Sequence, residues 1–159
     1  MRRFRILTLL LFVLALSAGA SAQEQVKLYD PSLDGMKQLQ DAVKKAKSEN
    51  KHVFVQFGGN WCSWCIKFDA FCKADEEIMK VINDNYITIK VNQSTENKNE
   101  AVMKLLENPG RFGYPVFIIV DGNGKRLHTQ DSALLEEGNG YSKTKILSFL
   151  KGWSPAALK

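Results

Sequence analysis

The chain has 159 residues, of which 45% are hydrophobic and 25% are charged, so we expect one globular domain with a real core and no second domain. Its net charge of +5 and its pI of about 9.1 are raised by three arginines at the start, Arg2, Arg3 and Arg5. Residues 1–22 contain these three arginines and no acidic side chain, so the rest of the chain carries only +2. That charge gives no reason to expect nucleic-acid binding.

The first 22 residues have the three parts of a secretory signal peptide. The basic start is followed by an apolar run from Ile6 to Leu16 and by Ala20-Ser21-Ala22, which form an A-x-A cleavage site. The alternative is a membrane anchor, but the apolar run is shorter than the ~20 residues that cross a bilayer. We therefore predict cleavage near Ala22-Gln23, export to the periplasm or another extracytoplasmic compartment, and a mature domain of residues 23–159.

Hydrophobic periodicity predicts the elements that precede the first cysteine. A short strand is expected around Val26 to Tyr29, and an amphipathic helix over residues 35–49, where apolar residues recur at helical spacing among charged ones. The β-branched and aromatic run from Val53 to Phe57 predicts a buried strand that leads into a turn at Gly58-Gly59. The first two cysteines come directly after this turn.

The second half of the chain also alternates between helical and strand patterns. A helix is expected from Cys62, broken near Ala74-Asp75 and ended by residues 83–85, and Ile87 to Val91 then alternate as a strand does. After these come a helix, a buried strand, the second strand of a hairpin and a closing helix, expected near residues 102–106, 116–120, 125–129 and 146–153. Residues 108–110, Asn-Pro-Gly, end the first of these helices. This order favours an α/β domain with a central sheet covered on both faces.

The segment from Trp61 to Cys65 is the most informative part of the sequence. Its two thiols are separated by two residues at the start of a predicted helix, a spacing that allows a disulfide to form and break reversibly. In the first helical turn, free N–H groups and the helix dipole favour the thiolate of Cys62. Cys65, one turn further along, is expected to be more buried and suited to resolving a mixed disulfide. We therefore predict that Cys62 is the nucleophile.

Three other uses of this pair are a structural disulfide, half of a zinc site and attachment of a c-type haem. Haem attachment needs a His directly after the second Cys, where the sequence has Ile66. Zinc needs two further ligands, which Cys72, His52 and His128 do not supply at a recognisable spacing. We expect no metal or organic cofactor. A structural disulfide remains open, because an oxidising compartment also favours stable bridges.

The chain resembles the thioredoxin superfamily in three features that together span most of the mature domain. These are a strand ending in Phe57, the Trp-Cys-x-x-Cys segment at Trp61 to Cys65, and Gly113-Tyr114-Pro115 before a buried strand. The helix that continues through residues 66–71 is similar to one in small exported thioredoxin-like proteins. It is also similar to one in the C-terminal domain of the bacterial transmembrane disulfide reductase.

The resemblance implies a thioredoxin-like fold, in which helices cover both faces of a mixed sheet, and thiol-disulfide exchange with protein cysteines. It implies a cis bond between Tyr114 and Pro115 beside the cysteines, where the backbone of Tyr114 pairs with an extended client segment. Trp61 is expected to pack beside the nucleophile, with an ordinary packing role as an equal alternative, and Trp64 to be exposed to partners. The expected partners are protein thiols and disulfides and a membrane-bound electron donor, with the chain itself a monomer.

Two positions depart from the family pattern. Thioredoxins carry a buried acid six residues before the first cysteine, where this chain has Gln56, so proton transfer to the second cysteine must use water or another group. The residues between the cysteines are Ser63-Trp64 rather than Gly-Pro, and this dipeptide tunes the reduction potential. The direction of electron flow is therefore open, with a reductant preferred on the subgroup resemblance alone.

The third cysteine, Cys72, is expected to be a buried apolar residue, with regulation or intermolecular pairing as the alternative. It lies seven residues after Cys65, about 10 Å further along a helix axis, which is too far to form a bridge.

Two other functions remain as alternatives to an oxidoreductase. They are a binding module with a permanently closed disulfide and a disulfide isomerase.

Overall fold

The computed structural model describes residues 27–159. Within this range the helices are α1 (Gly35–Glu49), α2 (Ser63–Lys73), α3 (Glu76–Asn85), α4 (Glu100–Leu105) and α5 (Lys143–Gly152). The strands are β1 (His52–Gly58), β2 (Tyr86–Asn92), β3 (Val116–Val120), β4 (Arg126–Asp131), β5 (Glu136–Glu137) and β6 (Gly140–Tyr141). Two short 3₁₀ helices cover Pro109–Phe112 and Ser132–Leu135. The predicted signal peptide, residues 1–22, lies outside the described residues.

The main sheet has four strands in the order β2-β1-β3-β4. Strand β1 runs parallel to β2 and antiparallel to β3, and β4 pairs antiparallel with β3. Every residue of β1 and of β3 is buried, as expected for central strands covered on both faces. The predicted mixed sheet is confirmed, and β5 and β6 form a separate small hairpin.

Two hydrophobic clusters hold the helices to the two faces of the sheet. Because successive side chains of a strand point to opposite faces, Val53, Val55 and Phe57 of β1 pack in a cluster with residues of α1 and α4. Phe54 of the same strand packs in the cluster on the other face, together with residues of α2, α3 and α5. The predicted covering of the sheet on both faces is therefore confirmed.

An aromatic cluster fastens α2, the helix that follows the first cysteine, to the sheet. The ring of Phe68 lies 4.3 Å from that of Phe117 in β3 and 5.1 Å from that of Tyr141 in β6, centroid to centroid. Phe68 is 2% exposed, so this contact fixes the position of the helix over the sheet.

Within residues 27–159, no helix is long and apolar enough to cross a membrane.

The predicted break between the second and third helices is confirmed. Helix α2 ends at Lys73, and the carboxylate of Asp75 caps α3 by accepting hydrogen bonds from the backbone N–H groups of Glu77 and Ile78. Such a cap satisfies donors that the first helical turn leaves without partners. Helices α2 and α3 are therefore joined by a tight corner at residues 74 and 75.

The predicted strand near Val26 to Tyr29 is wrong for the residues described there, because Lys27 to Tyr29 form no strand. The side chain of Asn60 takes the place of a strand partner. It accepts a hydrogen bond from the N–H of Tyr29 at 2.9 Å and donates one to the carbonyl of Tyr29 at 2.8 Å. The segment is therefore held against the loop before the first cysteine and not at a sheet edge.

Candidate active site

The Cys62 and Cys65 side chains form a disulfide at the N-terminus of α2, with their Cα atoms 5.2 Å apart. Cys62 is the N-cap of the helix, and its Sγ accepts a hydrogen bond from the backbone N–H of Cys65 at 3.1 Å. The same N–H also donates to the Cys62 carbonyl at 3.1 Å, so it is shared between the sulfur and the backbone in the first turn of the helix. A donor and a helix dipole directed at one sulfur favour negative charge on it.

The disulfide lies largely beneath the surface. Cys65 is fully buried and Cys62 is 4% exposed, and both cysteines pack with Tyr29, Leu28, Trp64 and Tyr114. The structure thus brings Tyr114 and Trp64 to the cysteine pair, as the sequence suggested. Tyr29 also belongs to this cluster, although no motif in the sequence indicates a role for it there.

Gly58, the last residue of β1, allows the close packing beneath the disulfide. A Cβ atom at this position would lie 2.4 Å from Sγ of Cys65 and 2.6 Å from Oη of Tyr29. Real Cβ contacts are not this short, so any side chain here would displace one of the two groups. The absence of a side chain at residue 58 therefore lets a cysteine sulfur and a tyrosine hydroxyl border the same small space.

Trp61 is the exposed aromatic residue of the site, with 58% of its surface accessible. Its indole N–H donates to the carbonyl of Gln93 at 2.8 Å, and its ring meets the ring of Tyr114 edge-on at 5.6 Å. The exposed face of Trp61 therefore lies next to Tyr114 at the rim of the site.

Trp64 does not have the exposed position expected from the sequence. Its ring is half-buried, with the ring of Tyr141 edge-on at 5.5 Å and the ammonium group of Lys67 4.0 Å from its centroid. The prediction failed because the hairpin of β5 and β6 folds over this side of α2 and brings Tyr141 onto the indole. Only part of the Trp64 ring reaches the surface.

The residues before β3 complete the rim. The peptide bond between Tyr114 and Pro115 is cis, Pro115 is buried, and Tyr114 is half-buried. Tyr114 therefore lies between the exposed Trp61, whose ring it meets, and the buried cluster that contains the disulfide.

Gln56 occupies the buried position in β1 where thioredoxins carry an acid. It is 2% exposed, and its side-chain amide donates to the carbonyl of Cys65 at 3.3 Å. An amide cannot exchange a proton with a thiol near neutral pH. Gln56 therefore holds the start of α2 to β1 but does not replace the acid in proton transfer.

The nearest carboxylate along α2 is Asp69, one turn after Cys65. It forms ion pairs with Lys73 at 2.8 Å and Lys90 at 2.9 Å, and its side chain is only 13% exposed. Burial alone would raise the pKa of Asp69, but the hydrogen bonds from Lys73 and Lys90 outweigh it and hold this pKa below its usual value. Asp69 is thus a charged, fully engaged carboxylate near neutral pH.

Comparison with known proteins identifies the family. Residues 34–122 match the family model described as thioredoxin-like, and this range includes the disulfide and the Tyr114–Pro115 bond. The chain belongs to the thioredoxin-like family. The resemblance seen in the sequence is therefore confirmed.

Two thioredoxin-like relatives have names that describe thiol chemistry. The thiol:disulfide interchange protein DsbD of Campylobacter jejuni is 32% identical over 96 residues, which cover 60% of this chain and 16% of that protein. The disulfide bond reductase DsbH of Chlamydia pneumoniae is 25% identical over 118 residues, which cover 70% of this chain and 69% of that protein. Other curated relatives are far longer than the shared region, which spans 11% of one and 7% of two more.

A solved structure with the same fold is that of a disulphide isomerase from Xylella fastidiosa. It superposes with a TM-score of 0.69 at 22% identity, covering 79% of this chain and 95% of that one. The reduced C-terminal domain of DsbD from Neisseria meningitidis superposes with a TM-score of 0.53 at 21% identity, covering 74% of this chain and 96% of that one. At these identities the likeness shows the thioredoxin-like fold.

Cys72 of this thioredoxin-like domain is a free, buried cysteine, as the sequence analysis expected. It lies in the cluster between α2 and the sheet with Phe68. Burial, and to a smaller extent the charge of Asp69, raises the pKa of the Cys72 thiol to about 12, so this thiol stays protonated at neutral pH.

Among residues 27–159, no group of three or more His, Cys, Asp or Glu side chains is placed to hold a metal ion.

The packing at Gly58 leads to a stability prediction. Gly58→Ala should lower the free energy of unfolding by ~1–3 kcal/mol, because the new methyl group overlaps Cys65 Sγ and Tyr29 Oη. Urea unfolding of the oxidised proteins measures the change. Gly152→Ala is the matched control, because a Cβ there meets nothing within 4 Å. Equal stability of the two variants would contradict the tight packing described for Gly58.

Proposed function

We propose that this protein is an extracytoplasmic thiol-disulfide oxidoreductase that exchanges its Cys62–Cys65 disulfide with cysteines of client proteins. The observation that carries the proposal is the location of this disulfide in the first turn of α2, with the Cys65 N–H directed at Cys62 Sγ. A reactive cysteine needs this kind of environment, which favours its thiolate. The names of the DsbD and DsbH relatives support the same chemistry.

The proposed reaction begins with the reduced protein and a client disulfide. The Cys62 thiolate attacks one client sulfur, a mixed disulfide forms, and the second client sulfur leaves as a thiolate that takes up a proton. Cys65 then loses its proton and attacks Cys62 Sγ, which releases the first client sulfur as a thiol. The client gains two electrons and two protons, which the cysteine pair loses. A dithiol donor then reduces the pair again.

The rim of the site supplies the proposed contacts to a client chain. Trp61 offers an exposed aromatic face beside Tyr114, and the backbone at Tyr114-Pro115 precedes β3, where an extended segment can pair as an added strand. The accessible part of Trp64 borders the same disulfide. We assign these four residues, Trp61, Trp64, Tyr114 and Pro115, to client binding.

A second candidate is a binding module whose disulfide never opens. It is favoured by the low exposure of Cys62, 4%, because an attacking thiolate must reach this sulfur. In that case the same rim would hold a partner without redox exchange. Reduction of the folded protein by a small thiol distinguishes the two candidates.

Cysteine variants test the proposed chemistry in the insulin-reduction assay. Cys62→Ser should abolish the activity, because it removes the attacking sulfur. Cys65→Ser should accumulate the mixed disulfide, because nothing then releases the client. Cys72→Ser is the matched control and should retain the activity, since that thiol is buried and protonated. A wild-type disulfide that resists dithiothreitol until the protein is denatured would leave only the closed binding module.

We further propose that the protein acts as a reductant supplied by a membrane-bound donor. The proposal is supported by the name of the DsbH relative, disulfide bond reductase. A reductant of this kind should have a potential close to the about −270 mV of thioredoxin, measured by equilibration against glutathione and trapping of the thiols. A value close to the about −120 mV of a strong oxidant such as DsbA would reverse the direction of electron flow.

The proposed location outside the cytoplasm depends on cleavage of residues 1–22. The mature protein recovered from expressing cells should begin at Gln23, and mass spectrometry of the intact chain measures this directly. A chain recovered from the cytoplasmic fraction with Met1 to Ala22 still attached would contradict both the signal peptide and the location.

A further inference from the structure

The hydroxyl of Tyr29 is a buried polar group without a hydrogen-bond partner. Tyr29 is 2% exposed, and its Oη makes no hydrogen bond within residues 27–159. An unpaired buried hydroxyl costs free energy, so its presence in a native site calls for a physical reason. The state described has a closed disulfide between Cys62 and Cys65, and the reason lies in the other redox state.

Tyr29 and the cysteine pair share one cluster, whose buried members are Tyr29, Cys62 and Cys65. The Tyr29 hydroxyl and Cys65 Sγ both border the space above Gly58, where a Cβ would lie 2.6 Å and 2.4 Å from them, respectively. A sulfur in a disulfide is a poor acceptor, whereas a thiolate accepts hydrogen bonds from O–H groups strongly. Opening the disulfide also frees Cys65 Sγ from its bond to Cys62.

The tyrosine is held firmly in this position. The two hydrogen bonds between its backbone and the Asn60 side chain tie it to the loop that leads into Cys62. Burial raises the pKa of the Tyr29 phenol well above its usual value, against a smaller lowering by a side-chain interaction with Gln56 that does not meet hydrogen-bond geometry. The hydroxyl therefore keeps its proton and acts as a donor throughout the working pH range.

The other polar groups near Cys65 are already engaged. The Gln56 amide donates to the Cys65 carbonyl, and Asp69 is paired with Lys73 and Lys90. An ionised carboxylate cannot donate a hydrogen bond in any case. Among residues 27–159, the Tyr29 hydroxyl is a donor without a hydrogen-bond partner that borders the same space as the Cys65 sulfur.

Building on the proposed redox function, we propose that the Tyr29 hydroxyl donates a hydrogen bond to Cys65 Sγ when the disulfide is reduced. The hydroxyl gains its missing partner only in the reduced protein, so it stabilises the reduced form relative to the disulfide. The same bond stabilises the Cys65 thiolate for its attack on the mixed disulfide. No proton leaves Tyr29 in this step, because it acts only as a donor.

The reduction potential of Tyr29→Phe tests the first consequence. This variant keeps the ring and removes the hydroxyl, so it should shift the equilibrium with glutathione about tenfold toward the disulfide, which makes the potential about 30 mV more negative. Tyr86→Phe is the matched control. Its hydroxyl is also buried but donates to the Leu150 carbonyl at 2.5 Å, so its removal should lower stability without changing the potential.

The pH dependence of Cys65 alkylation tests the second consequence. In a Cys62→Ser background Cys65 is the thiol that titrates, because the pKa of Cys72 is about 12. Adding Tyr29→Phe should raise the pKa of Cys65 and slow its alkylation about tenfold at neutral pH. At a pH that ionises Cys65 in both proteins, the two alkylation rates should be equal. A purely structural role for Tyr29 would not change this profile. Asn60→Ala should shift it in the same direction, because it releases the tyrosine.

The outcomes separate this inference from the proposed function. If the wild-type protein reduces insulin while Tyr29→Phe has an unchanged potential and an unchanged Cys65 profile, the hydrogen bond is refuted and the oxidoreductase stands. If the wild-type disulfide cannot be opened in the folded protein, the oxidoreductase fails. The Cys62→Ser alkylation series still reports on Tyr29 in that case, because it does not require the disulfide.

Discussion

The structure depends on one close contact, the approach of Cys65 Sγ to the backbone of Gly58 at the end of β1. It requires α2 to begin directly above the end of the strand, and the packing of Phe68 on Phe117 holds the helix there. The same position brings the Cys65 N–H to Cys62 Sγ. A fully buried sulfur and a second sulfur that accepts a hydrogen bond from a backbone N–H thus follow from where a single helix starts over the sheet.

The electrostatics of the site differ from the thioredoxin pattern, as Gln56 in the sequence already indicated. With Gln56 in place of the acid, the β1 side chain that contacts Cys65 does not titrate, and the charged Asp69 is paired with Lys73 and Lys90. The polar group left beside the sulfur is a tyrosine from the segment before α1. A donor that keeps its proton stabilises a thiolate without competing for the proton that the reaction moves.

Much of the fold was predictable because its signals are local. The buried runs of β1 and β3 and the corner at Asp75 are each specified by neighbouring residues, through β-branched content and an N-cap side chain. The two errors, the strand at Val26 to Tyr29 and the exposure of Trp64, share a different cause. Each depends on a partner far along the chain, Asn60 in one case and Tyr141 in the other.

The sequence by itself determined the α/β class, the cysteine pair at a helix start, the thioredoxin-like family and the isolation of Cys72. These features depend on spacing and hydrophobic pattern within a few residues. Only the tertiary structure decided that Tyr29 joins the cysteines, that Trp61 is exposed whereas Trp64 is half-buried, and that two lysines engage Asp69. The physical reason is that burial, desolvation and hydrogen-bond partnership belong to groups brought together by folding, and no residue carries them in its local sequence.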